Sequence, residues 1–344
     1  MFETLLLLDP FDERWTAFVA SQPQANIFHH PAWSNLLAEC YGYRPFVVAL
    51  RDVEGTICAG LPMMEVNSRL TGRRWVSLPF TDYCVPLYRE PASLICLADN
   101  LVHLSQGKGK PTIEVRWRFP THPAIHSSSQ YVLHTIRLSP DTEAVAKCFH
   151  SNHRRNIKAA QKRGVCIVWA QTREHLKVFY RLHVQTRRKQ GVPVQPWRFF
   201  DILGSTLLEP GLGFVLLAYK DRECLAGAVF LKWRQTLTYK YGASCPDGLS
   251  LRPNHLLFGA AIHWGCTNGC TMLDMGRTDV ANTGLREFKN RWGATEVLLT
   301  YSTLPAASRW RVPGRLMLGL QTVIRHSPLW VCRAVGTLFY RHFG

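Results

Sequence analysis

The chain has 344 residues, of which 47% are hydrophobic, and a formal net charge of +17 at neutral pH. Domains average roughly 150 residues, so this length predicts about two domains with hydrophobic cores. No apolar run approaches the ~18 to 20 residues that cross a bilayer, and the first residues are not expected to be a signal peptide, because they lack a basic region and a small-residue cleavage site.

The 11 cysteines are scattered along the sequence, and the one close pair is Cys266 with Cys270. The sequence contains no CxxC motif and no Cys/His set with zinc spacing. This usage predicts reduced thiols in a cytoplasmic protein, with no metal site and no tightly bound cofactor.

The positive charge is concentrated in two parts of the sequence. Thirteen Lys or Arg lie between Lys147 and Arg198, where the only acidic residue is Glu174, and no acidic residue follows Glu296. Such an excess predicts a polyanionic partner. Three classes of partner fit: RNA, a nucleotide-linked substrate and an anionic membrane face.

The first half of the chain has the pattern of a mixed α/β module. Its predicted elements are a helix over Asn26 to Cys40, a hairpin of Phe46 to Leu50 with Thr56 to Met64, a strand at Trp75 to Leu78, a helix over Ala92 to Leu104, and a strand at Thr112 to Trp117. Pro31 suits the first turn of the first helix. A loop with Asp82 follows the strand that begins at Trp75.

The second half begins with helices that contain most of the basic residues. In a helix from His150 to Gly164, Arg154, Lys158 and Lys162 recur every four residues and form a basic ridge. The ridge is either a solvated helix face or an anion-binding surface. The further predicted elements are a helix from Thr172 to Gly191, strands at Phe214 to Tyr219, Leu225 to Trp233 and Thr236 to Tyr241, and a helix from Pro253 to Trp264.

Residues 272–294 have the pattern of a strand, a polar loop and a short helix. The strand covers Met272 to Met275, and the helix covers Leu285 to Trp292. Three apolar residues at i, i+3 and i+7 share the face of that helix that we expect to pack inward: Leu285, Phe288 and Trp292.

The opposite face of this helix is basic and lies near the end of the strand, where ligands commonly bind in mixed sheets. There Lys289 can neutralise a phosphate or stabilise the oxyanion of an acyl transfer. The simpler alternative is a solvated face, on which Lys289 and Arg286 contact water and Glu287 pairs with Arg291.

One short motif occurs twice. FVVALRDVEGTICAG, from Phe46 to Gly60, is loosely repeated as FVLLAYKDRECLAG, from Phe214 to Gly227. The repeat predicts two copies of one α/β module, residues 1–140 and 141–302, with a cleft between them for a long substrate.

Residues 303–344 form a distinct tail in which leucines, aromatic residues and arginines mix without any acidic residue. This composition predicts amphipathic helices. They either lie on the cytoplasmic face of a membrane or cap the second module, and the two readings do not exclude each other.

Together these motifs resemble the FemAB-related group of the GNAT superfamily, and more narrowly the FemAB-like proteins encoded with bacterial exopolysaccharide and exosortase systems. The resemblance covers nearly the whole chain. The motifs that match are FHHPAWSNLL from Phe28, SRLTGRRWVSLPFTDY from Ser68, NHRRNIKAAQKRG from Asn152, YKYGAS from Tyr239 and GRTDVANTGLREFKNRWGA from Gly276.

The resemblance implies an α/β (α+β) fold of two tandem GNAT-like domains, with mixed sheets flanked by helices and a basic amphipathic helical tail. It implies transfer of an acyl or aminoacyl group to an amine of a cell-envelope precursor of peptidoglycan or exopolysaccharide, linked to a nucleotide or a lipid. The donor would be acyl-CoA or aminoacyl-tRNA. The expected location is the cytoplasm, peripheral on the inner face of the cytoplasmic membrane.

The resemblance also implies residue roles. The expected catalytic residues are Lys289, Tyr241 and Asp279, with Lys289 stabilising the oxyanion. The expected substrate-binding residues are Arg154, Arg155, Lys158, Tyr239, Arg277, Phe288 and Asp82. No histidine or glutamate base emerges from the sequence, so water or the substrate itself would remove the proton of the amine.

Two departures from the family leave the donor open. The chain has no sustained heptad run for the coiled-coil arm of the Gram-positive Fem enzymes, which weakens the case for tRNA. GASCPDGLSLRPN, from Gly242 to Asn254, replaces the acetyl-CoA loop of ordinary GNAT enzymes and does not supply the same run of backbone amides. Two non-catalytic hypotheses remain: a module that binds anionic polysaccharide or membrane, and nonspecific RNA binding.

Overall fold

A computed structural model describes residues 4–68, 72–170, 172–305 and 314–342. Within these ranges the chain packs as two units, one made of residues 1–131, 298–311 and 341–344 and the other of 132–297 and 312–340. The strands His126–Arg137 and Thr295–Leu304 each contribute residues to both units. The sequence-based division at 140 and 302 follows chain order, whereas packing divides the residues of the tail between the units.

The first unit is a mixed sheet with helices. Its elements are β1 (Thr4–Leu8), α1 (Glu13–Ser21), α2 (Pro31–Tyr41), β2 (Arg44–Arg51), β3 (Ile57–Ser68), β4 (Gly72–Val76), β5 (Leu87–Tyr88), α3 (Pro91–Ser105) and β6 (Thr112–Val115). The strand order is β1-β2-β3-β4-β6, with β5 beside β3. Helix α2 starts at Pro31, later than expected, because Asn26 caps a separate 3₁₀ turn over Ile27–His29.

The second unit is also a mixed sheet flanked by helices, as the sequence predicted. Its elements are β7 (His126–Arg137), α4 (Thr142–Lys147), α5 (Ser151–Lys162), β8 (Cys166–Ala170), α6 (Arg173–Gln190), α7 (Trp197–Leu203), β9 (Gly213–Lys220), β10 (Glu223–Trp233), β11 (Thr236–Ser244), α8 (Pro253–Thr267), β12 (Met272–Asp279), α9 (Thr283–Asn290), β13 (Thr295–Leu304), α10 (Gly314–His326) and α11 (Leu329–Phe339). The strand order is β7-β12-β11-β10-β9-β8. Strand β11 runs parallel to β12 and antiparallel to β10.

The repeated motif forms a hairpin in each unit, as predicted. Phe46 to Gly60 lies on β2 and β3, and Phe214 to Gly227 lies on β9 and β10. The longer first turn is held by the Asp52 carboxylate, which accepts a hydrogen bond from Thr56 N at 2.8 Å. The shorter second turn places Asp221 at a φ of 54°, a conformation that two-residue hairpin turns require and aspartate tolerates.

The two tail helices pack against α6 within the second unit. Ile324 and Cys332 are buried, and a Cβ added to Gly336 would lie 2.0 Å from the carbonyl oxygen of Val194. The tail therefore covers part of the second unit, one of its two predicted roles; residues 306–313 of the tail lie outside the described residues. No helix in the described ranges is long and apolar enough to cross a membrane.

Substitution of Gly336 by alanine tests the packing of α11. The added methyl group would meet a backbone oxygen that cannot rotate away, so we expect the free energy of unfolding to fall by about 1–3 kcal/mol. Gly319→Ala in α10 is the control, because no atom lies within 4 Å of its added Cβ, and alanine should stabilise a helix by ~0.8–1 kcal/mol. Urea unfolding followed by circular dichroism compares the variants; equal stabilities would contradict tight packing at Gly336.

Candidate active site

Strands β11 and β12 are paired over only part of their lengths. Among the described residues, their backbone pairing is confined to Thr236–Thr238 with Met272–Asp274. The rest of β11, up to Ser244, and the rest of β12, up to Asp279, extend beyond this pairing. The carboxyl-terminal parts of the two parallel strands are thus not paired with each other, and this unpaired end, here called the opening, is the position where ligands bind in α/β sheets.

A β-bulge at Lys240 lies beside this opening. Tyr239 pairs with Phe230 and Tyr241 pairs with Val229, so the register between β10 and β11 shifts at Lys240. Side chains alternate between the two faces of a strand. The extra residue therefore puts Tyr239 and Tyr241 on opposite faces of the sheet.

The two tyrosines accordingly have different neighbours. The ring of Tyr239 lies 4.8 Å from the ring of Phe258 on α8, and its hydroxyl fills the space over Gly242, where an added Cβ would lie 1.8 Å from it. The ring of Tyr241 lies 5.6 Å from that of Phe200 on α7. The structure does not bring the two tyrosines together on one face.

Lys289 is buried at the end of β12, with an exposed fraction of 3%. Its ammonium donates hydrogen bonds to the carbonyl oxygens of Gly276, at 2.8 Å, and Arg277, at 3.3 Å. Gly276 bends the strand at a φ of 70°, which glycine adopts without strain. Lys289 therefore ties α9 to the end of β12, at the opening.

Helix α9 is oriented differently from the sequence expectation. Leu285, expected to face inward, is 39% exposed, because the first turn of α9 lies beyond the hydrophobic core of the unit. The solvated-face alternative is right for Glu287 and Arg291, which form an i, i+4 ion pair at the surface. It is wrong for Lys289, which is buried.

A charged cluster lies around Lys289. Nε2 of His134, on β7, lies 3.0 Å from Oε2 of Glu296. Arg286 of α9 donates to both carboxylate oxygens of Glu296, at 3.0 and 2.7 Å. The cluster joins three secondary-structure elements of the second unit.

The pKa values of this cluster follow from burial and charge. Burial lowers the pKa of His134, and the positive charge of Lys289 lowers it further. The hydrogen bond from Arg286 lowers the pKa of Glu296 to about 2. At neutral pH Glu296 is therefore a carboxylate, and His134 is a neutral imidazole that can accept a proton.

One buried polar atom on each of β7 and β12 has no hydrogen-bond partner among the described residues: Nδ1 of His134 on β7 and the hydroxyl oxygen of Thr278 on β12. Buried polar atoms are almost always paired, so both are candidate contacts for a substrate or an ordered water. Sequence reasoning missed His134, because its partner Glu296 is 162 residues away on another strand and no local motif marks either residue.

The predicted basic ridge lies on the exposed face of α5. Arg154, Arg155 and Lys158 are exposed. The guanidinium of Arg154 donates to the carbonyl oxygen of Lys147 at 3.1 Å. The ridge has the form that anion binding needs, and its role in binding stays a prediction.

The inner face of α5 joins the helices of the site. Nε2 of His153 lies 3.0 Å from the carbonyl oxygen of Phe288 on α9, and the Asn156 amide nitrogen lies 3.1 Å from Nε2 of His255 on α8. Burial lowers the pKa of both histidines, that of His255 to about 4. The ring of Phe288, expected to bind substrate, packs 5.2 Å from the ring of His153, so it holds α9 against α5.

The remaining predicted site residues are dispersed. Asp279, expected to be catalytic, is exposed and caps the turn before α9, accepting a hydrogen bond from Ala281 N at 2.8 Å. Arg277 lies at the opening, where its carbonyl oxygen contacts Lys289. Asp82 belongs to the first unit, where its carbonyl oxygen accepts a hydrogen bond from the hydroxyl of Tyr301.

An open cavity of about 640 Å³ adjoins α9, lined by Cys148, His150, Thr283, Arg286, Glu287, Asn290 and Arg291. Lys289 does not line it, so this cavity is distinct from the opening between β11 and β12. No group of His, Cys, Asp and Glu within the described ranges could hold a metal ion.

In the loop from Gly242 to Asn254, several backbone amides donate hydrogen bonds to other atoms of the protein. The amides that donate to protein acceptors include those of Ser244, Cys245, Leu249 and Arg252. Pro246 and Pro253 have no amide hydrogen. These four amides and the two proline positions are therefore not available to bind a pyrophosphate.

The chain is similar to known proteins in one domain and in its fold. Residues 147–290 match the family model of the acetyltransferase (GNAT) domain. No curated protein matches the sequence. Among solved structures, FemX is 15% identical and covers 93% of this chain and 100% of its own, with a TM-score of 0.68.

Two further structures extend the comparison. L-PGS from Bacillus licheniformis is 15% identical over 93% of this chain and 99% of its own, with a TM-score of 0.56. A tandem GNAT protein from the clavulanic acid biosynthesis pathway is 10% identical over 90% of this chain and 100% of its own, also with a TM-score of 0.56. At these identities the likeness is one of fold.

Residues 147–290 therefore match the acetyltransferase (GNAT) domain, and the chain as a whole has the fold of FemX and of a tandem GNAT protein. This confirms the predicted α/β fold of the GNAT kind. The narrower resemblance to proteins of exopolysaccharide and exosortase systems stays a prediction.

Substitution of Glu296 by glutamine tests the charged cluster. The folded-state pKa of Glu296, about 2, lies below the value of ~4.3 for an unfolded glutamate, so its stabilisation is present above about pH 5 and is lost as the pH falls towards 2. We expect Glu296→Gln to lower the free energy of unfolding at pH 7, by an amount that shrinks on acidification.

Denaturant unfolding at a series of pH values measures this difference. Glu287→Gln is the control, because Glu287 forms an exposed surface pair of the kind that contributes little. A Glu296→Gln difference that stays constant down to acidic pH would contradict the assigned ion pair.

Proposed function

We propose that the protein is an acyl- or aminoacyltransferase that forms an amide on an amine of a cell-envelope precursor of peptidoglycan or exopolysaccharide. One observation carries the proposal. Within a GNAT domain, the buried ammonium of Lys289 is held by two carbonyl oxygens at the opening between β11 and β12. The fold shared with FemX and L-PGS supports a substrate of the cell envelope.

Lys289 acts on the carbonyl group of the donor. The amine nitrogen attacks the acyl carbon, and the electron pair of the carbonyl moves onto its oxygen. Lys289 exchanges the longer of its two contacts, 3.3 Å to Arg277 O, for a hydrogen bond to this oxyanion. Collapse of the intermediate restores the carbonyl and expels the ribose hydroxyl or the thiol of the donor.

His134 takes the proton that the amine must lose. Its neutral imidazole donates from Nε2 to the Glu296 carboxylate, which leaves Nδ1 as the acceptor. The proton then passes to the oxygen or sulfur of the leaving group, so that His134 ends the cycle neutral. Glu296, held by Arg286, orients the ring and stabilises its charged form.

The donor is acyl-CoA or aminoacyl-tRNA. Backbone amides between Gly242 and Asn254 that donate within the protein cannot bind the pyrophosphate of CoA. This disfavours acyl-CoA as the donor and favours the ester of aminoacyl-tRNA. The exposed ridge of Arg154, Arg155 and Lys158 suits phosphates of the donor or of a nucleotide- or lipid-linked acceptor. We place the reaction in the cytoplasm, at the inner face of the membrane.

Lys289→Ala should lower the rate of amide formation by ~10²- to 10³-fold, because it removes the donor to the oxyanion. Lys177→Ala is the control, since that lysine is an exposed member of a surface pair with Glu174 and its loss should leave the rate unchanged. Single-turnover transfer with purified protein measures both rates, with circular dichroism to check folding. An unchanged rate for Lys289→Ala would remove the assigned role.

His134→Gln should lower the rate and change its pH dependence. Because burial lowers the pKa of His134 below its usual value, the wild-type base is neutral at pH 7 and is lost only as the pH falls below ~6.5. The variant should lose this acid limb and be slower by at least ~10²-fold near neutral pH. His263→Gln, an exposed position on α8, is the control; an acid limb that persists in His134→Gln would assign the base elsewhere.

The donor is identified by offering acetyl-CoA and charged tRNA separately and measuring hydrogen exchange at Gly242 to Asn254 and Gly276 to Gly293. Protection by charged tRNA with transfer supports the aminoacyl ester. Protection by acetyl-CoA alone overturns that preference. Protection by neither, without transfer, favours the non-catalytic module that binds polysaccharide or membrane.

A further inference from the structure

Helix α11 has an apolar stripe on its exposed side. Trp330, Ala334 and Leu338 recur at i, i+4 and i+8 and so share one face of the helix. Trp330 is 70% exposed and Leu338 is 63% exposed. Large apolar side chains grouped on one exposed face indicate an interaction surface, whereas single exposed apolar residues are common on protein surfaces.

The other face of α11 fixes the direction of this stripe. Cys332 is buried, and the close approach of Gly336 to the backbone of Val194 leaves no room for another side chain there. Arg333, three residues from both Trp330 and Gly336, lies at the border between the two faces, and its guanidinium lies 5.9 Å from the ring centroid of Tyr180. With one face packed in this way, the helix cannot turn Trp330 and Leu338 inward without losing these contacts.

The surroundings of the stripe are cationic. Arg333, at the border of the stripe, is exposed, and no acidic residue follows Glu296 in the sequence. A surface that combines an exposed tryptophan, aliphatic side chains and an arginine matches an anionic lipid surface, in which indole rings lie at headgroup level and arginines contact phosphates.

We propose that this face, defined by Trp330, Leu338 and Arg333, docks onto an anionic lipid membrane. The helix lies in the plane of the interface, since no helix in the described part of the chain could span a bilayer. Charge complementarity favours lipid over a second copy of the chain, because a symmetric dimer through this face would bring two copies of its arginine together.

Membrane docking does not depend on the proposed function. The further conclusion, that docking brings the enzyme to a lipid-linked acceptor, rests on the proposed function. Membrane binding would then raise the local concentration of an acceptor that is confined to the bilayer, without any new contact at the active site.

The test is co-sedimentation of the full chain with vesicles, without donor or acceptor. Vesicles of phosphatidylglycerol and phosphatidylcholine in equal parts are compared with pure phosphatidylcholine. We expect binding to the anionic vesicles only, and weaker binding in high salt, because added salt screens the arginine.

Matched variants locate the surface. Trp330→Ser should weaken binding roughly 10- to 30-fold, since the indole no longer inserts, whereas Val53→Ser, a residue 71% exposed in the first unit, should not. Arg333→Gln should weaken binding about fivefold, and Arg222→Gln, at the exposed β9–β10 turn, should not. Thermal unfolding of each variant checks that it remains folded.

Equal binding to both kinds of vesicle, or unchanged binding of Trp330→Ser, would overturn the proposal. So would light scattering that finds a dimer which Trp330→Ser dissociates, because the stripe would then be a contact between copies. Lys289→Ala should still bind the vesicles, which separates this test from that of catalysis.

Discussion

The contact between the Lys289 ammonium and the carbonyl oxygens of Gly276 and Arg277 is the interaction on which the candidate site depends. A buried ammonium is tolerated only when other dipoles replace its water, and the glycine bend of β12 provides two of them. The same contact fixes α9 against the strand. The charge is therefore a structural tie, and in the proposed mechanism it is also the group that stabilises the oxyanion.

The neighbouring helix α5 has a charged outward face and a packed inward face. Its outward face holds the arginines and lysine of the ridge, while its inward face meets α8 and α9 through His153 and Asn156. Burial keeps His153 and His255 neutral, so aromatic residues such as Phe288 and Phe258 pack beside them without an unpaired charge. The helix can thus present cations to a ligand on one face while its other face packs without an unpaired charge.

Local patterns predicted the elements that local physics determines. The two hairpins, the basic ridge of α5 and the helix before Gly191 follow from residues within a few positions of one another. The mixed α/β class and the GNAT domain followed from motifs. The pairing of His134 with Glu296 could not be predicted in this way, because two strands distant in sequence create it.

Two other differences between the sequence-based predictions and the structure also arise from contacts with residues distant in sequence. Leu285 fits the apolar period of α9, yet its exposure depends on where the core ends. The extra residue at Lys240 is invisible in the sequence, because a bulge is a relation between β11 and its partner strand β10. Tyr239 and Tyr241, both expected at the site, lie on opposite faces of the sheet for that reason.

The bulge at Lys240 also determines which residues of β11 face the same side of the sheet as Tyr239. A substitution at Lys240 keeps the number of residues in the strand, and Tyr239 and Gly242 remain on the same face. Removing the extra residue at Lys240 would restore simple alternation and leave Tyr239 and Tyr241 on opposite faces, because both keep their partners on β10. Removing any other residue of β11 would reverse the facing of every later residue relative to the earlier ones. The site should therefore tolerate the loss of the residue at Lys240 better than a one-residue gap elsewhere in β11, which would give a differently lined opening.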